Sequence, residues 1–326
     1  MDTVKVLQEK DCRFLGVCRK DFPLVLEWSA SGVEFFTAAC QATAVIEGRG
    51  NAYRDANISY LGIFADGQFV KKIPVGRGRK KYCLFEQENN HRVLLRIVKL
   101  TEEQYDSLVI DSIEADGEFC CPEGRKRSLF FIGDSITAGY GIEDIDGSRV
   151  FSTAEENVTQ AYAYRVTGLL DADSQIVCSS GDGIISRWIP EEEDAPNTDR
   201  LLPDIFPFSE VRPASALVSY VGTNDASYIR GRKERERRFL TAYSAFLRKV
   251  RMTLGNPPVL LLSGAMETSM NSLLPGLAET EGYDYLQFPL QDTLADGFAT
   301  DTHPSAKTHE KMARLLAEKL QKILSW

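Results

Sequence analysis

The chain is 326 residues long, 43% hydrophobic and 26% charged, with a formal net charge of −9. That length accommodates roughly two ordinary domains, of about 100–200 residues each, and that balance belongs to a chain that buries a core. An acidic surface repels phosphate backbones and anionic lipid, which argues against nucleic acid and membrane surfaces as partners.

No apolar run approaches the roughly 18 residues needed to span a bilayer, and the opening Met1 to Lys10 lacks the apolar region of a secretory leader. A cytoplasmic protein is the expectation. Seven cysteines, with no Cys-x-x-Cys pair, predict free thiols rather than a disulfide framework or a zinc site.

Between Phe14 and Asp116 the apolar residues fall in short β-like runs separated by turn residues, with no sustained helical stripe. Residues 24–28, 32–36, 42–46, 60–64 and 93–98 are the strand candidates. Asp66-Gly67 predicts a hairpin, because a type I′ turn needs residues that tolerate positive φ. Together these predict a β-sandwich over residues 1–126, with Trp28 in its core and His91 on a surface strand. The basic run Arg77-Gly78-Arg79-Lys80-Lys81 reads as a solvated hairpin tip.

The Pro-, Gly- and charge-rich residues 120–127 mark a boundary. From 127 to 326, fully apolar strand candidates at 129–132, 175–178, 216–221 and 258–262 alternate with amphipathic stretches. That pattern predicts an α/β domain whose parallel sheet is covered on both faces. Phe239, Tyr243, Phe246, Leu247 and Val250 share one face of a helix; Met312, Leu315, Leu316, Leu320, Ile323 and Leu324 share a face of the last. A second basic run, Arg230 to Arg238, is interleaved with Glu234 and Glu236 at a helix start, and residues 191–194 form a short acidic loop.

Gly133-Asp134-Ser135 directly follows the strand at 129–132, which puts a serine hydroxyl at the carboxyl edge of the sheet, where open α/β sheets bind ligands. A helix N-terminus beside it offers free N–H groups to developing negative charge. The second glycine of Gly-x-Ser-x-Gly is missing, so the nucleophile elbow of α/β-hydrolases is not written here.

Three histidines are available as a base. His303, in Asp301-Thr302-His303-Pro304, sits on a loop before the final helix with an acid two residues upstream to hold its other ring nitrogen. His309 falls within the helical stripe and reads as a plain helix residue. Asn224, in Gly222-Thr223-Asn224-Asp225 after another apolar strand, reads either as an oxyanion donor or as part of an Asn-Asp turn. Gly181 and Gly183 follow the strand at 175–178, where a glycine could present its N–H to an oxyanion or simply make a tight turn.

Four such blocks in this order resemble the ordered motifs of SGNH/GDSL hydrolases over residues 128–326. The longer string 131–141, with a β-sandwich before it, looks like carbohydrate esterase family 2. The resemblance implies a jelly-roll-like domain at 1–126 and a flavodoxin-like three-layer α/β/α hydrolase domain at 127–326. It implies Ser135 as nucleophile, His303 as base and Asp301 as its orienting acid, with an oxyanion hole from the N–H groups of Ser135 and Gly181 and the side chain of Asn224. Gly183 remains the alternative to Gly181. No metal and no cofactor are expected.

The implied activity is removal of acetyl groups from carbohydrates such as xylan. Its rivals are a lipase or thioesterase acting on other acyl esters, and a carbohydrate-binding protein with a vestigial site. Trp188, just after the second block, reads either as a sugar-stacking residue or as lid packing, since amphipathic aromatics serve both; Tyr140 and Tyr228 flank blocks without an assigned role.

Overall fold

The computed structural model describes residues 4–50 and 57–326 and divides after Lys126 into two compact units, with Ser152–Ala154 belonging to the first. Residues 1–3 of the opening segment lie outside the described residues.

The first unit holds strands β1 (Lys5–Val6), β2 (Arg13–Leu15), β3 (Leu24–Leu26), β4 (Gly32–Thr37), β5 (Gln41–Gly48), β6 (Ser59–Ala65), β7 (Gln68–Val75), β8 (Gly78–Glu86), β9 (Val93–Lys99), β10 (Leu108–Ala115) and β11 (Phe119–Cys120). They form two antiparallel sheets, β1-β10-β5-β8 with β3 on β10, and β11-β4-β9-β6-β7 with β2 on β4. Burial alternates along β5, and its inward Ala42, Ala44 and Ile46 join Phe35, Leu61, Ile63, Leu95 and Ile97 of the other sheet in one apolar core. Asp66 and Gly67, at φ 49° and 81°, make the β6–β7 turn that the sequence predicts.

The basic run at 77–81 is not a hairpin tip. β7 and β8 belong to different sheets, and Arg79, Lys80 and Lys81 pair within β8 against Glu47, Ile46 and Val45 of β5. Arg79 and Lys81 meet Asp111 and Glu114 of β10, each at 2.8 Å. His91 is exposed in the loop before β9 rather than on a strand.

The second unit is built from β12 (Arg127–Gly133), α1 (Ser135–Ala138), α2 (Tyr162–Leu169), β13 (Ala172–Cys178), α3 (Leu202–Ile205), β14 (Ala216–Tyr220), α4 (Thr223–Ile229), α5 (Lys233–Thr253), β15 (Val259–Gly264), α6 (Leu274–Glu281), β16 (Asp284–Phe288) and α7 (Ala306–Leu324). The sheet is parallel, in the order β13-β12-β14-β15-β16. This is the flavodoxin-like order, whose switch point lies where β12 has β13 on one side and β14 on the other.

Every residue of β14 and β15 is buried, which is why these strands read as unbroken apolar runs. Phe239, Tyr243, Leu247 and Val250 turn one face of α5 inward, and Met312, Leu316 and Leu320 do so for α7. Arg230 donates to the carbonyls of Pro190 and Glu191, while Arg232 and Arg235 pair with Asp194. The second basic run therefore clamps the acidic loop. Among the described residues no helix is long and apolar enough to cross a membrane.

Candidate active site

Ser135, Gly181 and Asn224 follow β12, β13 and β14, so the three residues expected as oxyanion donors stand at three adjacent strand ends at the switch point. Ser135 opens α1, and the Asp134 side chain caps that helix by accepting the Ile136 N–H at 3.1 Å. Gly133 is required because a Cβ there would lie 1.8 Å from Thr137 Oγ1.

His303 Nε2 lies 2.8 Å from Ser135 Oγ. Its Nδ1 lies 3.0 Å from the Thr300 carbonyl oxygen. A carbonyl only accepts, so Nδ1 carries the hydrogen and Nε2 is left as the acceptor of the serine proton. Burial holds the imidazole pKa below 6.5, while the Thr300 carbonyl and the Asp301 charge oppose that shift.

The expected hydrogen bond from His303 Nδ1 to the Asp301 carboxylate is not made. Asp301 and Thr302 both adopt the left-handed conformation, at φ 52° and 61°, and the turn they form brings the Thr300 carbonyl to the ring. The Asp301 carboxylate accepts the Tyr140 hydroxyl at 3.0 Å instead and acts on the imidazole only through space.

The two glycines separate physically. A Cβ on Gly183 would lie 2.1 Å from the Ser186 carbonyl oxygen, whereas at Gly181 the nearest atom is the far end of Arg187 at 3.3 Å. Gly183 is held by packing, while Gly181 is half-buried and adopts φ 80°. Asn224 Nδ2 donates one hydrogen to the Asp182 carbonyl at 2.9 Å and has a second to offer. Next to it, the buried Asp225 carboxylate accepts the N–H groups of Ile184, Ile185 and Ser186. Asn224 and Asp225 therefore pin the loop that carries Gly181.

A family model described as the GDSL-like Lipase/Acylhydrolase family matches residues 131–311. The chain belongs to this family. It is 25% identical over 289 residues to an acetylxylan esterase/glucomannan deacetylase of Cellvibrio japonicus, covering 82% of this chain and 77% of that one. It is 26% identical over 322 residues to cellulase/esterase CelE of Acetivibrio thermocellus, covering 92% of this chain and 38% of that one. In fold it is similar to a family two carbohydrate esterase from Clostridium thermocellum solved with cellohexaose, with TM-score 0.84, 23% identity, and 97% and 99% of the two chains covered. It is also similar to the acetyl xylan esterase Est2A of Butyrivibrio proteoclasticus, with TM-score 0.86, 20% identity and 99% of each chain covered.

Within this acylhydrolase the remaining candidates divide. Trp188 is 59% exposed, and its main-chain N–H donates to the Gly181 carbonyl at 2.9 Å, so an aromatic surface follows the second block directly. His309 is structural: its Nδ1 accepts the Tyr162 N–H at 3.1 Å at the start of α2, and burial pushes its pKa down to about 3. The parts played by Thr300, Tyr140 and Asp225 are not legible in the sequence. The first contributes a main-chain atom, and the other two act through residues distant in sequence.

Asp134 sets a stability prediction. Burial pushes its carboxyl up to about 7, so between pH about 4 and that value it is ionised in the unfolded chain and neutral in the fold. Its contribution is favourable in acid and lost as the pH rises towards neutrality. Asp134→Asn is expected to melt higher than wild type at pH 8 and no higher at pH 4; equal differences at both would reject this account.

Proposed function

We propose that this acylhydrolase removes acetyl groups from carbohydrates through an acyl-enzyme on Ser135. The observation that carries the reading is the 2.8 Å contact between Ser135 Oγ and a His303 Nε2 made an acceptor by the Thr300 carbonyl. His303 takes the serine proton as Oγ attacks the ester carbonyl carbon. The resulting oxyanion is held by the N–H groups of Ser135 and Gly181 and by Asn224 Nδ2. Its collapse breaks the bond to the sugar oxygen, which leaves with the proton from His303. Water, deprotonated by His303, then releases acetate and restores Ser135. This chemistry calls on no metal or organic cofactor. Catalysis is assigned to the second unit, residues 127–326.

Carbohydrate as the alcohol portion is supported by the names of the curated relatives and by the exposed Trp188, which offers a face for sugar stacking. One observation favours a larger acyl group. Ile145, Val150 and Leu294, 89%, 93% and 99% exposed, lie on loops whose Asp144 and Gln291 bond to the turn carrying His303.

Acetate release from acetylated xylo-oligosaccharides, measured beside hydrolysis of p-nitrophenyl acetate and octanoate, tests the choice. Acetate preference extending to the sugars is expected. A preference for octanoate with no acetate released from sugar would replace the carbohydrate reading with a lipase-like one.

A further inference from the structure

We propose that Tyr140 is a positioning residue for His303, acting through Asp301, and that it leaves the Thr300 carbonyl rather than a carboxylate as the partner of Nδ1. The inference rests on reading His303 as the base of Ser135.

Tyr140 follows α1 and its capping Gly139. Its ring lies flat on Phe151, at 3.7 Å and 7°, and also meets the His303 ring at 4.6 Å. Its hydroxyl donates to Asp301 Oδ2 at 3.0 Å. One side chain thus touches the base and holds the acid two residues before it.

An ionised carboxylate is a stronger acceptor for an imidazole N–H than a neutral carbonyl is. Asp301 is close enough for its charge to favour the imidazolium, yet the Nδ1 position is filled by Thr300. The conformation of the turn and three ties to it keep it so. Successive non-glycine residues at φ 52° and 61° adopt a conformation that L side chains rarely hold unless their neighbours enforce it. The enforcement is visible: Gln291 Nε2 donates to the Thr302 carbonyl at 2.8 Å, and Thr300 Oγ1 donates to Asp144 Oδ2 at 2.9 Å. The Tyr140 hydroxyl is the third tie and the only one of the three made to the carboxylate itself.

Among the described residues, the ionisable groups that meet His303 or its turn are Asp301 on that turn, Tyr140 after α1, Asp144 behind Thr300, and His309 on α7, kept neutral by burial. Of these only Asp301 is both charged and tied to Tyr140. Loss of the hydroxyl therefore leaves the carboxylate charge less neutralised and free to approach Nδ1.

The test is the pH profile of kcat/KM on p-nitrophenyl acetate for wild type, Tyr140→Phe, Asp301→Asn and the double variant. Phenylalanine keeps the ring stack and removes only the hydroxyl. The wild-type acid limb is expected below pH 6.5, in the direction of the His303 shift. Tyr140→Phe is expected to raise its midpoint by about half a unit, since a nearer carboxylate favours the imidazolium. Asp301→Asn is expected to lower it, and adding Tyr140→Phe to that background to move it no further. A midpoint unmoved by Tyr140→Phe, or moved equally with and without Asp301, would overturn the proposal and leave Tyr140 a packing residue. Hydrolysis surviving in Ser135→Ala would instead overturn the reading of the base on which the proposal rests.

Discussion

Ser135→Ala is expected to lower kcat on p-nitrophenyl acetate by at least about 10⁴-fold while leaving the melting temperature within a degree or two of wild type. The two halves of that expectation have separate causes. The lost oxygen is the one proposed to bond to the acyl carbon, and no other side chain stands within hydrogen-bond reach of His303 Nε2 among the contacts described. The helix start survives, because α1 is capped by the Asp134 side chain and not by Ser135.

His303→Ala is expected to cost about as much, and the double variant little more, since nucleophile and base act as one unit. A burst of p-nitrophenol equal to the enzyme concentration, present in wild type and missing from both variants, would report the acyl-enzyme. A Ser135→Ala protein keeping a tenth of the activity would remove Ser135 from the mechanism.

Much of this site is legible as letters because its functional atoms are side chains that follow strands with both faces covered. β12 and β14 are buried almost throughout, so their apolar runs are unbroken and the blocks after them stand out. β16 was missed for the converse reason: it is half-exposed, and Asp284-Tyr-Leu-Gln-Phe288 carries no clear period. β8 reads as a hairpin tip because its cations find their partners Asp111 and Glu114 on β10, a strand with which β8 forms no ladder.

The partner of His303 Nδ1 was illegible in principle. Every residue has a carbonyl, so nothing at position 300 marks its use, whereas Asp301 displays the expected side chain one residue away. Two consecutive left-handed residues without glycine or asparagine have no sequence signature either. The acidic loop and the second basic run were both visible, but their pairing through Asp194 needed the fold.

Asn224→Ala is the second large effect, an expected loss of about 100–1,000-fold in kcat, the usual result of deleting one oxyanion donor. KM should change little, because the donor is aimed at charge that develops only as the tetrahedral species forms. A purely structural explanation has to be separated, since Asn224 Nδ2 also holds the Asp182 carbonyl and so helps to fix the Gly181 loop. Two glycine variants make the separation. Gly183→Ala forces a Cβ to within 2.1 Å of the Ser186 carbonyl oxygen and 2.6 Å of Asp225 Oδ2, so it should lower both the melting temperature and kcat. Gly181→Ala meets only the movable end of Arg187 and carries a strain of about 1–2 kcal/mol from its positive φ. If Asn224 acts on the oxyanion, Asn224→Ala loses kcat with a melting temperature closer to that of Gly181→Ala than to that of Gly183→Ala. A loss of kcat that tracks the fall in melting temperature across the three variants would make Asn224 a loop anchor and leave the oxyanion to the backbone of Ser135 and Gly181.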